Sequence, residues 1–331
     1  MTISTKHLIA PLALLAALTT VSNAAAAGPP DGSTAEQKAL IAADPAFVPQ
    51  HLALTDLPKP TRPAIALFNG HDLDGWDNWL GASDAMTTYA PVRGKSIGLN
   101  HDDSHVFSVV TEDGTPAIFA NGKIWGGLLT KGVYQNYHLH LQFKWGKNTW
   151  TPFPRNNGIL YHSHGDNGAF FGTWMQAVEF EMVPHSIGML LTVGSSREGR
   201  SFDGVDWRVG ASVPVGHDAA IPYPGRRYMA GGRTVPVAFP AFNVEAGKDA
   251  ENAIGEWNTL DLYVLGDRAI HVVNGVPVMA VEHISTTDGP GTIRRPLTRG
   301  RIQLQSEGAE TYFRDVTLEP IASLPKITAG R

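Results

Sequence analysis

The sequence predicts an all-β protein whose strands form a two-sheet sandwich or jelly roll in a single domain. Three observations support this fold class. Glycine and proline are abundant, at 35 and 23 of 331 residues, as expected for a chain with many tight turns. Apolar and polar residues alternate with a period of two in several segments, whereas helical periodicity is scarce. Because 43% of the residues are hydrophobic, the chain can bury a large core and disorder is excluded.

Residues 1–27 are predicted to be a cleaved signal peptide. Lys6 precedes an apolar run over residues 8–18, and alanines at positions 24–27 supply the small residues of a cleavage site. The run is shorter than the roughly 20 residues that span a bilayer, so no membrane insertion is expected after cleavage. The absence of cysteine excludes disulfides and a lipid anchor on cysteine. A periplasmic or secreted protein is therefore expected.

Composition divides the remainder of the chain. Residues 28–63 are rich in proline and are predicted to form a linker or N-terminal strap. The compact domain is expected at residues 64–320, followed by a C-terminal tail at residues 321–331. Within the domain, residues 195–255 contain many glycines, prolines and arginines. This composition predicts a long region of inserted loops, which either wall a site or only decorate the surface.

Strands are predicted most clearly in three places. Every second residue is apolar over residues 137–145, which predicts a strand with one buried face. A hairpin is predicted from residues 260–265 and 269–273, with a Gly-Asp turn between them and an Asn-Gly turn after them. A late pair of strands is expected at residues 300–305 and 311–319. Short strands separated by such turns are typical of sandwiches and jelly rolls.

The sharpest cluster of chemically active residues ends at Glu179 and Glu181. Alternate residues of a strand share a face, so both carboxylates are expected to project together while the residues between them face a core. Such a pair can divide acid and base roles when its surroundings separate the two pKa values, and it also suits a retaining glycosidase. Trp174 and Gln176 lie just upstream and predict a sugar-binding surface, with the Trp174 ring stacked on a pyranose.

Histidines provide the other candidates for acid–base or metal chemistry. His162 and His164 share a strand face by their spacing, and two imidazoles at that spacing can bind one metal ion. His271 precedes the Asn-Gly turn and is interpreted either as a general base or as a half-buried histidine with partners of its own. His138 and His140 alternate with apolar residues of a long strand, so an exposed sheet face is expected for both.

Five sequence blocks follow one another over about residues 64–320. They are LFNGHDLDGW at 67–76, NGILYH at 157–162, VEFE at 178–181, GEWN at 255–258 continuing to HVVNG at 271–275, and GRIQLQSEG at 300–308 continuing to FRD at 313–315. In this order and spacing they resemble the 3-keto-disaccharide hydrolase domain family, which implies a concanavalin A-like jelly-roll fold. Three residues depart from the commoner pattern: Glu181 replaces a glutamine, Glu307 a frequent histidine, and Asn157 a frequent serine.

The resemblance implies cleavage of glycosides that are already oxidised to a ketone at C3. Such a ketone acidifies the C2 proton, so a base can remove it and the glycosidic oxygen on C1 can leave by elimination, with or without re-addition of water. His162 or His271 is expected to be the base, with Glu179 as its partner or as the acid. The residues expected to hold the sugar are Asn157, Trp174, Gln176, Glu181, Gln305 and Glu307.

No cofactor is required at this step, although a divalent metal ion could stabilise the C3 oxyanion, with His162, His164 and Glu179 as candidate ligands. The expected partner is an oxidised carbohydrate, supplied by an upstream glucoside 3-dehydrogenase. Two alternatives share the fold: a classical retaining glycosidase and a non-catalytic carbohydrate-binding module. A formal net charge of -5 without a basic stripe argues against nucleic-acid binding.

Overall fold

The computed structural model describes residue 39 and residues 41–88, 94–150, 155–196, 205–206, 209–221, 224–238, 243–287 and 293–329. The strands in these ranges are β1 Leu52–Thr55, β2 Ile65–Ala66, β3 Trp76–Ala82, β4 Ser96–Leu99, β5 Phe107–Glu112, β6 Thr115–Ala120, β7 Gly126–Thr130, β8 Tyr137–Thr149, β9 Asn157–His164, β10 Gln176–Met182, β11 Met189–Val193, β12 Ser195–Ser196, β13 Val205–Asp206, β14 Val209–His217, β15 Arg226–Tyr228, β16 Arg233–Val237, β17 Asn243–Val244, β18 Asn258–Leu265, β19 Arg268–Val273, β20 Val276–Thr286, β21 Arg295–Pro296, β22 Arg301–Ser306, β23 Ala309–Pro320 and β24 Lys326–Ala329. A short 3-10 helix, Ala85–Thr87, follows β3.

Two large sheets form the sandwich, which confirms the predicted fold class. The smaller sheet has the strand order β17-β11-β10-β9-β22-β7-β3-β4. The larger sheet follows the order β15-β14-β20-β19-β18-β8-β23-β6-β5. In addition, β16 pairs with β14, β2 with β23 and β21 with β20. The neighbouring strands of both sheets are antiparallel, as expected where tight turns connect successive strands.

The core lies between the two sheets as one cluster of buried apolar side chains. From the larger sheet, β8 contributes Leu139, Leu141 and Phe143, none of them more than 1% exposed. From the smaller sheet, β10 contributes Val178 and Phe180, both fully buried. Burying each such side chain is worth about 1.5–3 kcal/mol, so the period-two pattern determines which face of each strand turns inward. The opposite faces remain available for polar side chains.

The three strand predictions are confirmed, with one difference in pairing. β8 begins at the predicted residue, and β18 and β19 form the predicted hairpin. The two late strands are also present, but β22 belongs to the smaller sheet and β23 to the larger one. The chain therefore crosses from one sheet to the other at residues 307–308. Alternation within a strand carries no information about which sheet the strand joins.

Where residues 195–255 are described, they include the strands β12 to β17, in contrast to the predicted inserted loops. β14, with β15 and β16 beside it, extends the larger sheet, and β17 forms one edge of the smaller sheet. Val209, Val213 and Val215 on β14 are fully buried, so this segment contributes directly to the core. Glycine and proline between the valines hid the alternation in the sequence. A proline can occupy a strand where its missing N–H costs no ladder hydrogen bond.

The predicted strap and tail are also structured where they are described. β1 pairs with β24, and this two-stranded sheet packs on Tyr263, Ile270 and Val272 at the outer face of the larger sheet. Further toward the N-terminus, the buried Asp44 carboxylate accepts 2.7 Å hydrogen bonds from Nε of Arg226 and of Arg233. Residues 1–27 lie outside the described ranges. No helix in those ranges is long and apolar enough to cross a membrane.

Candidate active site

The outer face of the smaller sheet carries a cluster of buried acids. Glu179 and Glu181 on β10 face away from the core, because their neighbours Val178 and Phe180 belong to it. This shared orientation is the one that strand periodicity predicted. Glu307, in the turn after β22, is electrostatically coupled to both. These three residues are buried, with only 2%, 7% and 9% of their surfaces exposed for Glu179, Glu181 and Glu307. Their side chains are called the carboxyl cluster below.

Burial makes these acids hold their protons strongly. It raises the pKa of Glu181 to about 8, against the smaller effect of a hydrogen bond with the Asn156 side chain. The pKa of Glu179 is raised well above its ordinary value by burial and by the charges of Glu181 and Glu307, and a Gln305 hydrogen bond opposes this shift. Burial and the Glu181 charge likewise raise the pKa of Glu307. At neutral pH the carboxyl cluster therefore retains protons that it can donate.

Two glycines leave the sheet without side chains beside the cluster. Gly158 on β9 lies directly opposite Glu181, and Gly127 on β7 lies between Gln305 and Trp79. A Cβ at Gly158 would overlap Oε1 of Glu179 and would lie 2.7 Å from Oε1 of Gln305. Both oxygens therefore occupy the space above Gly158. This row across the sheet runs from Glu181 to the half-buried Trp79, and its two glycines are called the glycine floor below.

Several acceptor atoms near the glycine floor have no hydrogen-bond partner among the described residues. They include Oε1 of Glu179, Oε1 of Gln305 and Oδ1 of Asn156. A buried acceptor without a donor costs about 1–3 kcal/mol, so such atoms mark places where a ligand donor fits. Sugar hydroxyls are donors of this kind. This part of the sheet thus combines hydrogen-bond acceptors that have no partner with carboxyl groups that keep their protons.

The substitution Gly158→Ala is expected to lower activity at least tenfold while the protein stays folded. The new methyl group would meet only the ends of the Glu179 and Gln305 side chains, which can move, and no backbone. Turnover of a 3-keto-glucoside, together with the thermal unfolding midpoint, measures both effects. Gly94→Ala is the matched control, because a Cβ there lies 3.4 Å from the nearest atom, Cβ of Ala82. Equal activity of both variants would show that the Glu179 position is unimportant.

The free energy of unfolding is expected to fall between pH 6.5 and pH 8. With a native pKa of about 8 against an ordinary value of 4.5, Glu181 keeps its proton in the folded chain and has lost it in the unfolded one. Because the unfolded state then binds fewer protons, stability decreases as pH rises. Burial lowers the pKa values of His162 and His271 to about 4, so their opposing contribution is confined to about pH 4–6.5.

Urea denaturation at the two ends of this pH window measures the slope. Glu181→Gln should flatten it, since the variant has no proton to lose at that position. The raised pKa values of Glu179, Glu307, His140 and His185 contribute a slope of the same sign in both proteins, so the variant is expected to have a smaller slope rather than none. Identical slopes would be inconsistent with a buried, protonated Glu181.

The structure does not bring His271 to the carboxyl cluster. Its ring is buried in the core, stacked on Phe180 with the centroids 4.6 Å apart. Nε2 lies 3.0 Å from the Tyr161 hydroxyl and Nδ1 lies 2.9 Å from the Gly188 carbonyl. Because Phe180 and Glu179 project from opposite faces of β10, the sheet separates His271 from the acid. The expected histidine–carboxylate pair is therefore absent, and His271 has the structural partners of the second interpretation.

His162 and His164 each contact the larger sheet. A β-bulge opposite β22 gives His162 a φ of 52°, which turns its side chain out of the regular alternation. Nε2 of His162 lies 3.2 Å from the Gly266 carbonyl in the larger sheet. His164 instead approaches Thr286, with Nε2 3.2 Å from its Oγ1. Because His162 points toward the larger sheet and Glu179 faces the outer side of the smaller sheet, His162 is not a partner of Glu179.

Two predicted sugar contacts have structural partners. The amide of Asn157 donates to the Gln305 carbonyl at 3.0 Å and to the Thr311 hydroxyl at 3.1 Å. The Trp174 ring is only 2% exposed and stacks against Trp125, with the centroids 5.8 Å apart, so it offers no open face to a pyranose. Its Nε1 donates to the Gly126 carbonyl at 3.1 Å, and the Phe170 ring lies 6.2 Å away by centroids, contacts that a strand pattern cannot reveal.

The remaining candidates divide between two places. Gln305 and Glu307 both interact with Glu179, whereas Gln176 pairs with His164 at the start of β10. None of the metal candidates His162, His164 and Glu179 belongs to either of the two possible ion-holding groups found among the described residues. Those groups are His138–His140–Asp261 and His185–Asp249–Glu251.

Sequence reasoning missed Asn156, Trp79 and the two glycines of the floor. Gly158 stood inside a block already singled out, but a glycine in a strand signals close approach only when its cross-strand neighbours are known. Trp79 is 100 residues from Glu179 in the chain, and only the pairing of β3 with β7 brings it to the same face. Trp79 is half-buried, so it replaces Trp174 as the candidate aromatic contact for a sugar.

Comparisons with known proteins follow this geometry. The sequence profile of the 3-keto-alpha-glucoside-1,2-lyase-like domain matches residues 63–319. No curated protein matches the chain. A proposed glycosyl hydrolase from Parabacteroides distasonis has 17% identity and a TM-score of 0.41, over 78% of this chain and 94% of that one. The carbohydrate-binding module CBM66 from Bacillus subtilis has 9% identity and a TM-score of 0.35, over 64% and 91%. Structural similarity this low carries no argument about function.

Proposed function

The chain belongs to the 3-keto-alpha-glucoside-1,2-lyase-like domain family, and we propose that it is a carbohydrate-active enzyme that cleaves 3-keto-glycosides at its carboxyl cluster. One observation supports this choice of site. The unpartnered acceptors of Glu179, Gln305 and Asn156 surround a glycine floor beside acids of raised pKa. This combination supplies hydrogen-bond acceptors for sugar hydroxyls and groups that can transfer a proton at the same place on the sheet.

The proposed reaction is an elimination. A base takes the proton from C2, and the electron pair of that C–H bond forms an enolate with the C3 ketone. The enolate then expels the glycosidic oxygen from C1, and an acid protonates the leaving oxygen. The products are an enone and the free alcohol. Addition of water to the enone gives net hydrolysis. If the enone is released without that addition, the enzyme acts as a lyase.

We assign the base to Glu181 and the proton donor to Glu179. The charges of Glu181 and Glu307 favour the protonated form of Glu179, whereas Glu181, with a pKa raised to about 8, ionises as pH approaches that value. Asn156 favours the ionised form of Glu181 through its hydrogen bond. The ionised fraction of Glu181, which is minor at neutral pH and grows as pH approaches 8, would act as the base while Glu179 keeps its proton. This assignment replaces the histidine base that the sequence predicted, because neither His162 nor His271 contacts the carboxyl cluster.

A second candidate reaction uses the same two acids. Glu179 and Glu181 on one strand face also suit a retaining glycosidase acting on unoxidised sugars. Purified protein incubated with a 3-keto-glucoside and with its unoxidised parent separates the reactions by aglycone release. Release from the keto form alone supports elimination, and release from the parent supports the glycosidase. Binding of both without release of either would support a carbohydrate-binding module and contradict the proposal.

Two further proposals concern the setting of this reaction. An oxidoreductase that makes a C3 ketone on a glucoside must supply the substrate, since nothing in an elimination creates that ketone. The leader at residues 1–27 supports export to the periplasm or medium. Fractionation of cells that express the full chain tests export, and the mature N-terminus near residue 28 is the expected result. A chain that stays in the cytoplasm with its leader intact would contradict export.

A further inference from the structure

Three side chains converge on one point at the outer face of the larger sheet. His138 and His140 alternate along β8, and Asp261 on β18 lies directly opposite His140. Oδ1 of Asp261 is 2.8 Å from Nε2 of His138 and 2.8 Å from Nδ1 of His140. The three possible ligand atoms all lie within 4.8 Å of one another. Two imidazoles thus direct a nitrogen toward the same carboxylate oxygen.

The ring of His138 is fixed from two other sides. Nδ1, the nitrogen that faces away from Asp261, lies 3.4 Å from Oε2 of Glu319 on β23. Tyr263 stacks on the ring, with the centroids 4.1 Å apart and the planes 5° apart. Histidines that bind metals usually donate their second N–H to a carboxylate, which sets the tautomer and the ring orientation. Glu319 occupies the position of such a carboxylate.

The cluster is accessible from solvent. The side chains of His138 and Asp261 are each 16% exposed, and that of His140 is 36% exposed. A hydrated ion can therefore reach the ligand atoms and keep water in its remaining positions. Two imidazole nitrogens and one carboxylate oxygen suit a borderline ion such as Zn²⁺, whereas Ca²⁺ and Mg²⁺ prefer oxygen ligands alone.

We propose that His138, His140 and Asp261 bind one divalent transition-metal ion of the Zn²⁺ class, with Glu319 as a positioning residue. The ion would replace the two histidine protons that now point at Oδ1 of Asp261. It would also join neighbouring strands β8 and β18 in the middle of the larger sheet. This site is separate from the carboxyl cluster, which lies on the outer face of the other sheet.

Titration of the purified, metal-free chain with Zn²⁺ in a calorimeter tests the proposal, with Ca²⁺ and Mg²⁺ as comparison ions. We expect one Zn²⁺ per chain, a higher thermal unfolding midpoint with Zn²⁺, and neither effect with Ca²⁺ or Mg²⁺ at this site. His140→Ala and Asp261→Asn should abolish binding at the same concentrations. Glu319→Gln should weaken it by about 10–100-fold, as for other carboxylates that orient a metal-binding histidine.

His185→Ala is the matched control, because His185 is the histidine of the other possible ion-holding group and is 83% exposed. Its Zn²⁺ affinity should equal that of the unmodified chain. Binding that survives both His140→Ala and Asp261→Asn, or that disappears in His185→Ala, would overturn the assignment. If a variant fails to fold, visible absorption of Co²⁺ in the unmodified chain provides a second measurement, since coordinated imidazole changes that spectrum. The spectrum of hexaaqua Co²⁺ in the presence of the chain would also overturn the assignment.

Discussion

Replacing Glu181 by glutamine is expected to reduce kcat/KM for a 3-keto-glucoside by about 10²–10⁴, the range for loss of a general base. The substitution keeps the shape and the hydrogen bond with Asn156 but removes the group that can accept the C2 proton. Steady-state release of the aglycone measures the effect. Glu179→Gln should cause a loss of similar size, and the loss should be smaller for substrates with acidic aglycones, because a good leaving group needs less protonation.

Glu256→Gln is the control for both variants, since Glu256 is exposed and lies outside the carboxyl cluster. Its kcat/KM should match that of the unmodified chain. Full activity in Glu181→Gln would remove this residue from the proposed base role. Exchange of the C2 proton with deuterated solvent gives an independent measurement, and the exchange should disappear in Glu181→Gln. Persistent exchange would mean that another group abstracts the proton.

Replacing Asp44 by alanine is expected to lower the free energy of unfolding by about 3–5 kcal/mol, as for other buried ion pairs that lose one partner. The Asp44 side chain is fully buried and bonds to Arg226 and Arg233. The side chain of Arg226 is only 8% exposed, so its guanidinium would be left buried without its carboxylate. Urea denaturation followed by tryptophan fluorescence measures the change.

Asp218→Ala provides the comparison for this prediction. Asp218 makes a 2.7 Å pair with Arg227, but both side chains are 21% exposed. Water can replace the lost partner there, so a decrease of about 0–1 kcal/mol is expected. If the two substitutions had equal effects, Asp44 would not be the anchor that holds the N-terminal strap to β15 and β16.

The strand pattern was readable because its physical cause is local. Successive residues of β8 and β10 point to opposite faces. When Phe143 and Phe180 are buried in the core, His140 and Glu179 must therefore lie on the outer faces, regardless of how the rest of the chain folds. The block resemblance added the family, and the sequence profile of that family covers the same region. Where glycine and proline interrupted the alternation, as in β14, the same reasoning predicted loops and was wrong.

Most errors in the predicted site arise from contacts between distant residues. The bulge at His162 depends on the register of β9 against β22, and one extra residue turns a side chain to another direction. Trp174 stacks against Trp125, and Asn157 donates to Gln305 and Thr311. None of these partners can be identified from the spacing of residues within one segment.

By itself, the sequence determined the fold class, the family, and the shared face of Glu179 and Glu181, because these properties depend on period-two geometry and on short blocks in order. Only the tertiary structure decided which residues join those two acids. It brought Glu307 and the glycine floor to them and kept His271 on the other side of the sheet. It also placed Asp261 beside His138 and His140. The physical reason is that strand order and register bring together residues distant in the chain, and both depend on how the whole core packs.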